Sequence, residues 1–168
     1  MAVMAERLGG AARAAVSVAA TLVGVAALAL GLLVAGMRWK LPPVLDAVRH
    51  LNRSFSNPRV MRTAGTDATQ TSVIQHVGRT SGRAYETPVD AIPAKTGFLI
   101  ALPYGTRADW LRNVLVAGSA TVVTHGESVD VDRPTIVATA DVAGQIPAKT
   151  LRTLRLFGVS QCLHLEKA

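Results

Sequence analysis

The sequence predicts an α+β chain in which one membrane-length helix precedes an antiparallel sheet or small barrel carrying two helices. Three observations predict it. An apolar run without a single charge extends from Ala14 to Met37. From Ser72 onward, short alternating segments recur between glycine- and proline-bearing turns, the mark of strands joined by hairpins. Only two stretches of helical periodicity interrupt those strands, which favours α+β over a parallel βαβ layout. Length and composition agree. The 168 residues fit one domain with an appendage. With 49% hydrophobic residues the chain can bury a core, so disorder is excluded. The expected divisions are residues 1–41 as an anchor with its flanks, 42–71 as a helix and linker, and 72–168 as the folded domain.

The apolar run comes first. Between Ala14 and Met37 the only hydroxyl side chains are Ser17 and Thr21. At about 1.5 Å per residue, the run exceeds the ~20 residues that span hydrocarbon. A cleaved signal peptide needs a shorter apolar stretch and a small-residue cleavage site. Here the run leads into Gly36-Met37-Arg38-Trp39-Lys40. A single membrane anchor over residues 14–37 is therefore expected, with a retained or cleaved signal segment as the alternative. Arg7 and Arg13, offset by Glu6, precede the span. Arg38, Lys40, Arg49, Arg53, Arg59 and Arg62 follow it. The more basic flank stays in the cytoplasm, so a single-pass protein with a cytoplasmic C-terminal domain is expected. Trp39 falls at the membrane interface.

Pro42-Pro43 cannot continue a helix and marks the exit from the span. Val44 to Phe55 reads as a short amphipathic helix, with Val44, Leu45, Val48, Leu51 and Phe55 near helical spacing. Its Arg49, His50 and Arg53 suit either anionic headgroups or solvent beside the domain. Asn57-Pro58 is expected to end it.

In the domain, Ser72–Val77 alternates as a strand, and residues 78–83 form a turn. Tyr85–Ile92 is a second strand, with Pro88 arguing for an edge or a bulge. Gly97–Leu102 is a third. Thr106 is a candidate cap for a helix from Arg107 to Ala117, with Gly118 as its stop. Ala120–Thr124 and Ser128–Val131 make a hairpin around His125-Gly126-Glu127, and Thr135–Ala140 extends the sheet. Pro147–Phe157 has helical periodicity, and Ser160–Leu165 closes the sheet.

Two segments carry the chemistry. In His76-Val77-Gly78-Arg79-Thr80-Ser81-Gly82-Arg83 the glycines let successive N–H groups converge on an anion. Thr80 and Ser81 add hydroxyls, and Arg79 and Arg83 add fork-shaped cations that match phosphate or carboxylate. The segment is neither GxxxxGK[ST] nor GxGxxG, so it reads as a basic anion cradle or as a plain turn with solvated arginines. In the second segment, Ala101 to Gly118, a strand ends and a helix opens over Asp109-Trp110-Leu111-Arg112-Asn113. Asp109 suits the positive end of the helix dipole. Trp110 is either a core residue or a wall beside a flat ring system.

Other chemistries are excluded. One cysteine rules out a disulfide framework and CxxC-type metal sites. His50, His76, His125 and His164 lack metal-ligand spacing. No GxSxG motif and no convincing constellation of paired catalytic carboxylates is present, and Cys162 in an apolar strand reads as buried and inert. The net charge of +7 favours an anionic partner, but 4% aromatic residues and charge concentrated beside the span argue against nucleic acid. With no nucleophile or metal of its own, an enzyme here draws its chemistry from a cofactor.

The segments NRSFSNPRVMRTAG, HVGRTSGRAYETPVDAI, FLIALPYGTRADWLRNVLVAG and LRLFGVSQCLHLEK resemble the deazaflavin (F420)-dependent nitroreductase and quinone reductase family. The resemblance runs from about Asn52 to the C-terminus. It implies a split β-barrel related to FMN-binding barrels. Residue by residue, it implies that Arg79, Thr80 and Ser81, with Arg83 beside them, hold the phosphate and linker of the cofactor. Tyr85, Thr87, Pro88 and Val89 would line the deazaflavin, and Ala101, Leu102, Pro103 and Tyr104 would flank its ring and ribityl chain. Asp109, Trp110, Arg112 and Asn113 would complete the wall. Thr80 stands where family members often carry lysine, and 150–157 lacks the tyrosines some members place near substrate.

The resemblance implies coenzyme F420 as cofactor, with FMN less favoured. It also implies hydride transfer from reduced F420 to a small-molecule acceptor such as a membrane quinone. A non-catalytic F420 or flavin-sequestering module on the same fold is the alternative. A homodimer is compatible with either.

Overall fold

The computed structural model describes residues 2–168, with side chains from residue 18 onward. Glu6, Arg7, Arg13 and residues 14–17, on which part of the expected span and its orientation rests, lie outside the described side chains. Helix α1 covers Ala2–Arg38. Within it Val18–Arg38 is long and apolar enough to cross a membrane; residues 18–33 are all exposed, and burial begins only near the end of the span, at Gly36 and Met37. Leu22, Val23, Leu28 and Leu32 are each more than 60% exposed.

The chain turns at Trp39-Lys40, where Lys40 takes a positive φ of 55°, and α2 (Pro42–Leu51) starts with proline in its first turn. There the missing N–H costs nothing. The expected stop at Asn57-Pro58 is not where helical structure ends. A π-helical turn, Asn52–Ser56, leads into α3, Asn57–Val60. Proline again occupies a first-turn position, and the wider turn before it absorbs the change of path.

The domain is mixed α+β. Its strands are β1 (Ser72–Val77), β2 (Ala84–Val89), β3 (Ala91–Pro93), β4 (Gly97–Ala101), β5 (Ser119–Thr124), β6 (Glu127–Ala138) and β7 (Gln161–Lys167). They form one seven-stranded sheet ordered β2-β1-β5-β6-β7-β4-β3, antiparallel throughout. The strand expected over Tyr85–Ile92 is divided at Asp90. Its first half pairs with β1, and its second half pairs with β4 at the opposite end of the sheet. The sheet therefore curls into a half-barrel whose two edges are adjacent in sequence. Pro88 and Pro93 both lie on these edge strands, where no ladder donor is lost.

Further expectations are corrected. Ser128–Val131 and Thr135–Ala140 belong to one strand, β6, which continues through Pro134 by a register shift between Asp132 and Thr135, with Arg133 at φ 49°. A bulge of this kind lets the strand bend without ending. The β5–β6 turn contains only His125 and Gly126, both at positive φ, as a two-residue hairpin requires. The helix expected from Arg107 is a 3₁₀ turn, Gly105–Arg107, followed by α4, Asp109–Ala117. Ala108, not Thr106, holds the N-cap position, and no side chain caps it. Gly118, at φ 73°, ends the helix as expected. Helix α5 covers Ala148–Leu156.

Strand β4 explains how the core is divided. Phe98, Ile100 and Leu102 point into one cluster, which also contains Leu111 and Val114 of α4. Leu99 and Ala101 point into a second, with Leu154 of α5 and Cys162. Alternation along one strand thus serves both faces, and burial on both accounts for its uninterrupted apolar sequence. Leu111 is fully buried and holds α4 against the sheet. Its position sets that of Asp109, Arg112 and Asn113.

Candidate functional site

The β1–β2 turn and the start of α4 meet through Arg79. Its backbone N–H and one guanidinium nitrogen donate to Asn113 Oδ1 at 3.2 and 2.8 Å. The guanidinium also donates to Asp109, to the backbone oxygen at 3.4 Å and to Oδ1 at 3.1 Å. Arg79 is therefore a brace between two segments and not a free cation. Arg53, from the π-helical turn, approaches the other Asp109 oxygen at 3.7 Å.

Beneath the brace lies His76, buried at 7% exposure. Its Nδ1 is 3.2 Å from Asn113 Nδ2, and its Nε2 is 3.2 Å from Thr87 Oγ1. The proton positions follow from the chain of donors. Asn113 Oδ1 accepts twice from Arg79, so the amide NH2 faces His76 and Nδ1 must accept. Nε2 then carries the proton and donates to Thr87. Burial holds the His76 pKa below its ordinary value, in keeping with a neutral ring. The Tyr85 ring stacks on the imidazole, centroids 5.9 Å apart and planes 20° from parallel. Its hydroxyl lies 3.2 Å from Ser81 Oγ, which also accepts the Arg83 N–H at 3.4 Å. Gly78 lets the corner close tightly: a Cβ would stand 2.5 Å from Ser81 Oγ and 2.6 Å from Tyr85 Cε2, so those side chains would have to move.

A second group forms around the turn after β4. Lys40 Nζ donates to the Pro103 oxygen at 2.9 Å. Arg49 donates to the Tyr104 oxygen at 3.5 Å, and Asn52 donates to the Tyr104 hydroxyl. Burial pushes the Tyr104 pKa up, partly offset by the Asn52 hydrogen bond and the Arg49 charge. Arg49 Nε is buried there with no acceptor. Asn52 and Arg53, adjacent in sequence, thus touch Tyr104 and Asp109 respectively and bring the two groups together.

Not all expected residues meet. Thr80, Arg83 and Arg112 are exposed, and their side chains make no polar contact with other described residues. Val89 and Leu102 belong to the main core, against which half-buried Trp110 packs. Ala101 packs in the other cluster, and Pro88 lies half-buried in edge strand β2. A cleft of about 460 Å³ is lined by Gln75, His76, Val77 and Ala84 with Ala117 and parts of β5 and β6, and none of the residues of the GRTSGR turn lines it.

His76, Arg49, Asn52 and Arg53 were not among the expected site residues. For His76 a signal existed: alternation places it inward with Ile74 on β1. The other three contact the domain only through long-range packing.

No family model matches the chain, and no curated protein matches it. Among solved structures, one described as a domain-swapped dimer is 12% identical, at a TM-score of 0.43, over 72% of this chain and 98% of its own. Another, a protein of unknown function from Agrobacterium tumefaciens, is 15% identical, at a TM-score of 0.41, over 69% of this chain and 55% of its own. Likenesses this distant carry no weight for function.

Proposed function

We propose that the chain is a membrane-anchored oxidoreductase on a split β-barrel that uses reduced F420 to reduce quinones or similar electrophilic acceptors. One observation carries this reading: the Arg79 brace brings the GRTSGR turn against the opening of α4, and Thr80 and Arg83 on the turn and Arg112 on the helix are exposed with no polar partner among the described residues. The residues fit the anionic end of such a cofactor. Two unpaired guanidiniums and a hydroxyl suit a phosphate, and the tight glycine corner at Gly78 keeps Ser81 and Tyr85 in place. The partly exposed Tyr85 ring, backed by His76, offers a flat apolar surface.

When bound, reduced F420 supplies the hydride. The chain's own residues bind, orient and exclude water. Arg83 and Arg112 would hold the phosphate. Arg79 keeps α4 and the turn in register. Tyr104, fixed by Asn52 and Arg49, bounds the side nearest the anchor. With α1 crossing the bilayer and the basic flank on the cytoplasmic side, enzyme and lipid-soluble acceptor share one surface.

The test is titration of the purified full chain with F420 at low salt, followed by absorbance of reduced F420 with and without menadione. Fluorescence quenching and quinone-dependent oxidation are expected. No quenching overturns the reading, and binding without turnover identifies a sequestering module instead.

A further inference from the structure

The connection between α1 and the domain leaves an apolar surface uncovered. Trp39, Leu41, Leu51 and Phe55 are 71, 45, 54 and 56% exposed. The same stretch, residues 38–62, carries six Lys and Arg residues and one acid, Asp46, which Arg49 pairs at 2.9 Å. The Arg53 side chain is 80% exposed, and His50, Arg59 and Arg62 are exposed as well. This surface is fixed relative to α1. Leu45 and Met37 are buried, and Val44 sits so close to Gly36 that a Cβ there would approach it to 2.7 Å. Lys40 and Arg38 bond to the domain at the Pro103 and Arg155 oxygens. Only residues 39–41 separate the membrane-length helix from α2.

We infer that the segment from the turn at Trp39 through Arg62, which includes α2 and α3, is a membrane-docking surface for anionic lipid. It lies in the headgroup layer from which α1 emerges, with its four apolar side chains immersed and its arginines on lipid phosphates. Mixed basic and apolar exposure without unpaired acid is the pattern that binds anionic interfaces, and the span delivers it there. The inference rests on reading α1 as a membrane anchor. Because Asn52 and Arg53 also hold Tyr104 and Asp109, docking keeps the candidate site within reach of molecules dissolved in the bilayer.

The test uses the full chain in nanodiscs of phosphatidylcholine, with or without phosphatidylglycerol. A bimane label is placed at Phe55→Cys or, as a control within the span, at Leu28→Cys. Cys162 is fully buried and does not compete for label. In anionic discs, label at position 55 should be quenched by doxyl lipid and several-fold less by aqueous iodide than in neutral discs. The double variant Arg59→Glu, Arg62→Glu should restore iodide access, as should high salt in the unaltered background. Free iodide access at 55 in anionic discs, with lipid quenching at 28, overturns the inference and leaves the anchor standing. Iodide shielding at 55 that is the same in detergent and in both lipids means that protein covers the face, and overturns it too. Absence of lipid quenching at both positions overturns docking and anchor together.

Discussion

The carboxamide of Asn113 is shared between Arg79 and His76: its oxygen accepts from both the backbone and the guanidinium of Arg79, and its nitrogen donates to the imidazole. One buried side chain thereby joins β1, the β1–β2 turn and α4.

Asn113→Ala should lower stability by about 2 kcal/mol, because it strands a buried N–H and a buried imidazole nitrogen without partners. Urea unfolding would measure this, with the slope unchanged. A loss of only a few tenths of a kcal/mol would mean that the network contributes little.

The His76 proton has a definite consequence for pH. Its folded pKa lies below the ordinary 6.5, so the unfolded chain takes up the proton first as pH falls. The stability from a neutral His76 is complete above about 6.5, declines as pH drops towards the folded value and then levels off. His76→Gln should flatten this decline. Asn113→Asp should act in the opposite sense, because a carboxylate facing Nδ1 favours the imidazolium and raises the pKa. Urea unfolding across neutral to acid pH, with NMR titration of the ring, would check both.

Gly78→Ala should displace Tyr85 from the imidazole and cost about 1–3 kcal/mol through overpacking. The readout is the His76 ring shift, which loses the ring-current contribution of a stacked tyrosine. An unchanged shift would show that the corner relaxes elsewhere.

Arg112→Ala and Arg83→Ala should each weaken F420 binding about tenfold, the effect of one charge-assisted hydrogen bond, with near-normal thermal stability. Rising salt should weaken the unaltered protein more than either variant. Arg79→Ala should differ by lowering both stability and affinity, since that residue braces the fold.

Much of the fold was legible. Alternation marked most of the strands, Gly118 ended α4, and Cys162 is fully buried as its apolar strand indicated. What was not legible depends on distant partners. Ser128–Val131 and Thr135–Ala140 read locally as separate strands, yet the Arg133 bulge carries β6 across Pro134. Pro58 reads as a helix stop, yet it opens a new turn. In the site, GRTSGR advertised a basic turn, but nothing local said that Arg79 would be taken by Asp109 and Asn113. Likewise, Asn52 and Arg53 open the NRSFSNPRVMRTAG segment, yet nothing local says that they meet Tyr104 and Asp109; the docking of α2 brings them there.

The division of a single stretch of chain at Asp90 has a consequence for how the sheet fails. Its outermost strands lie on either side of one residue, so a protease cutting there would untie the two margins from each other while each stays paired inward, β2 to β1 and β3 to β4. Fraying from either side would loosen the other. Protection of that peptide bond under limited digestion is thus a direct gauge of whether the half-barrel is shut.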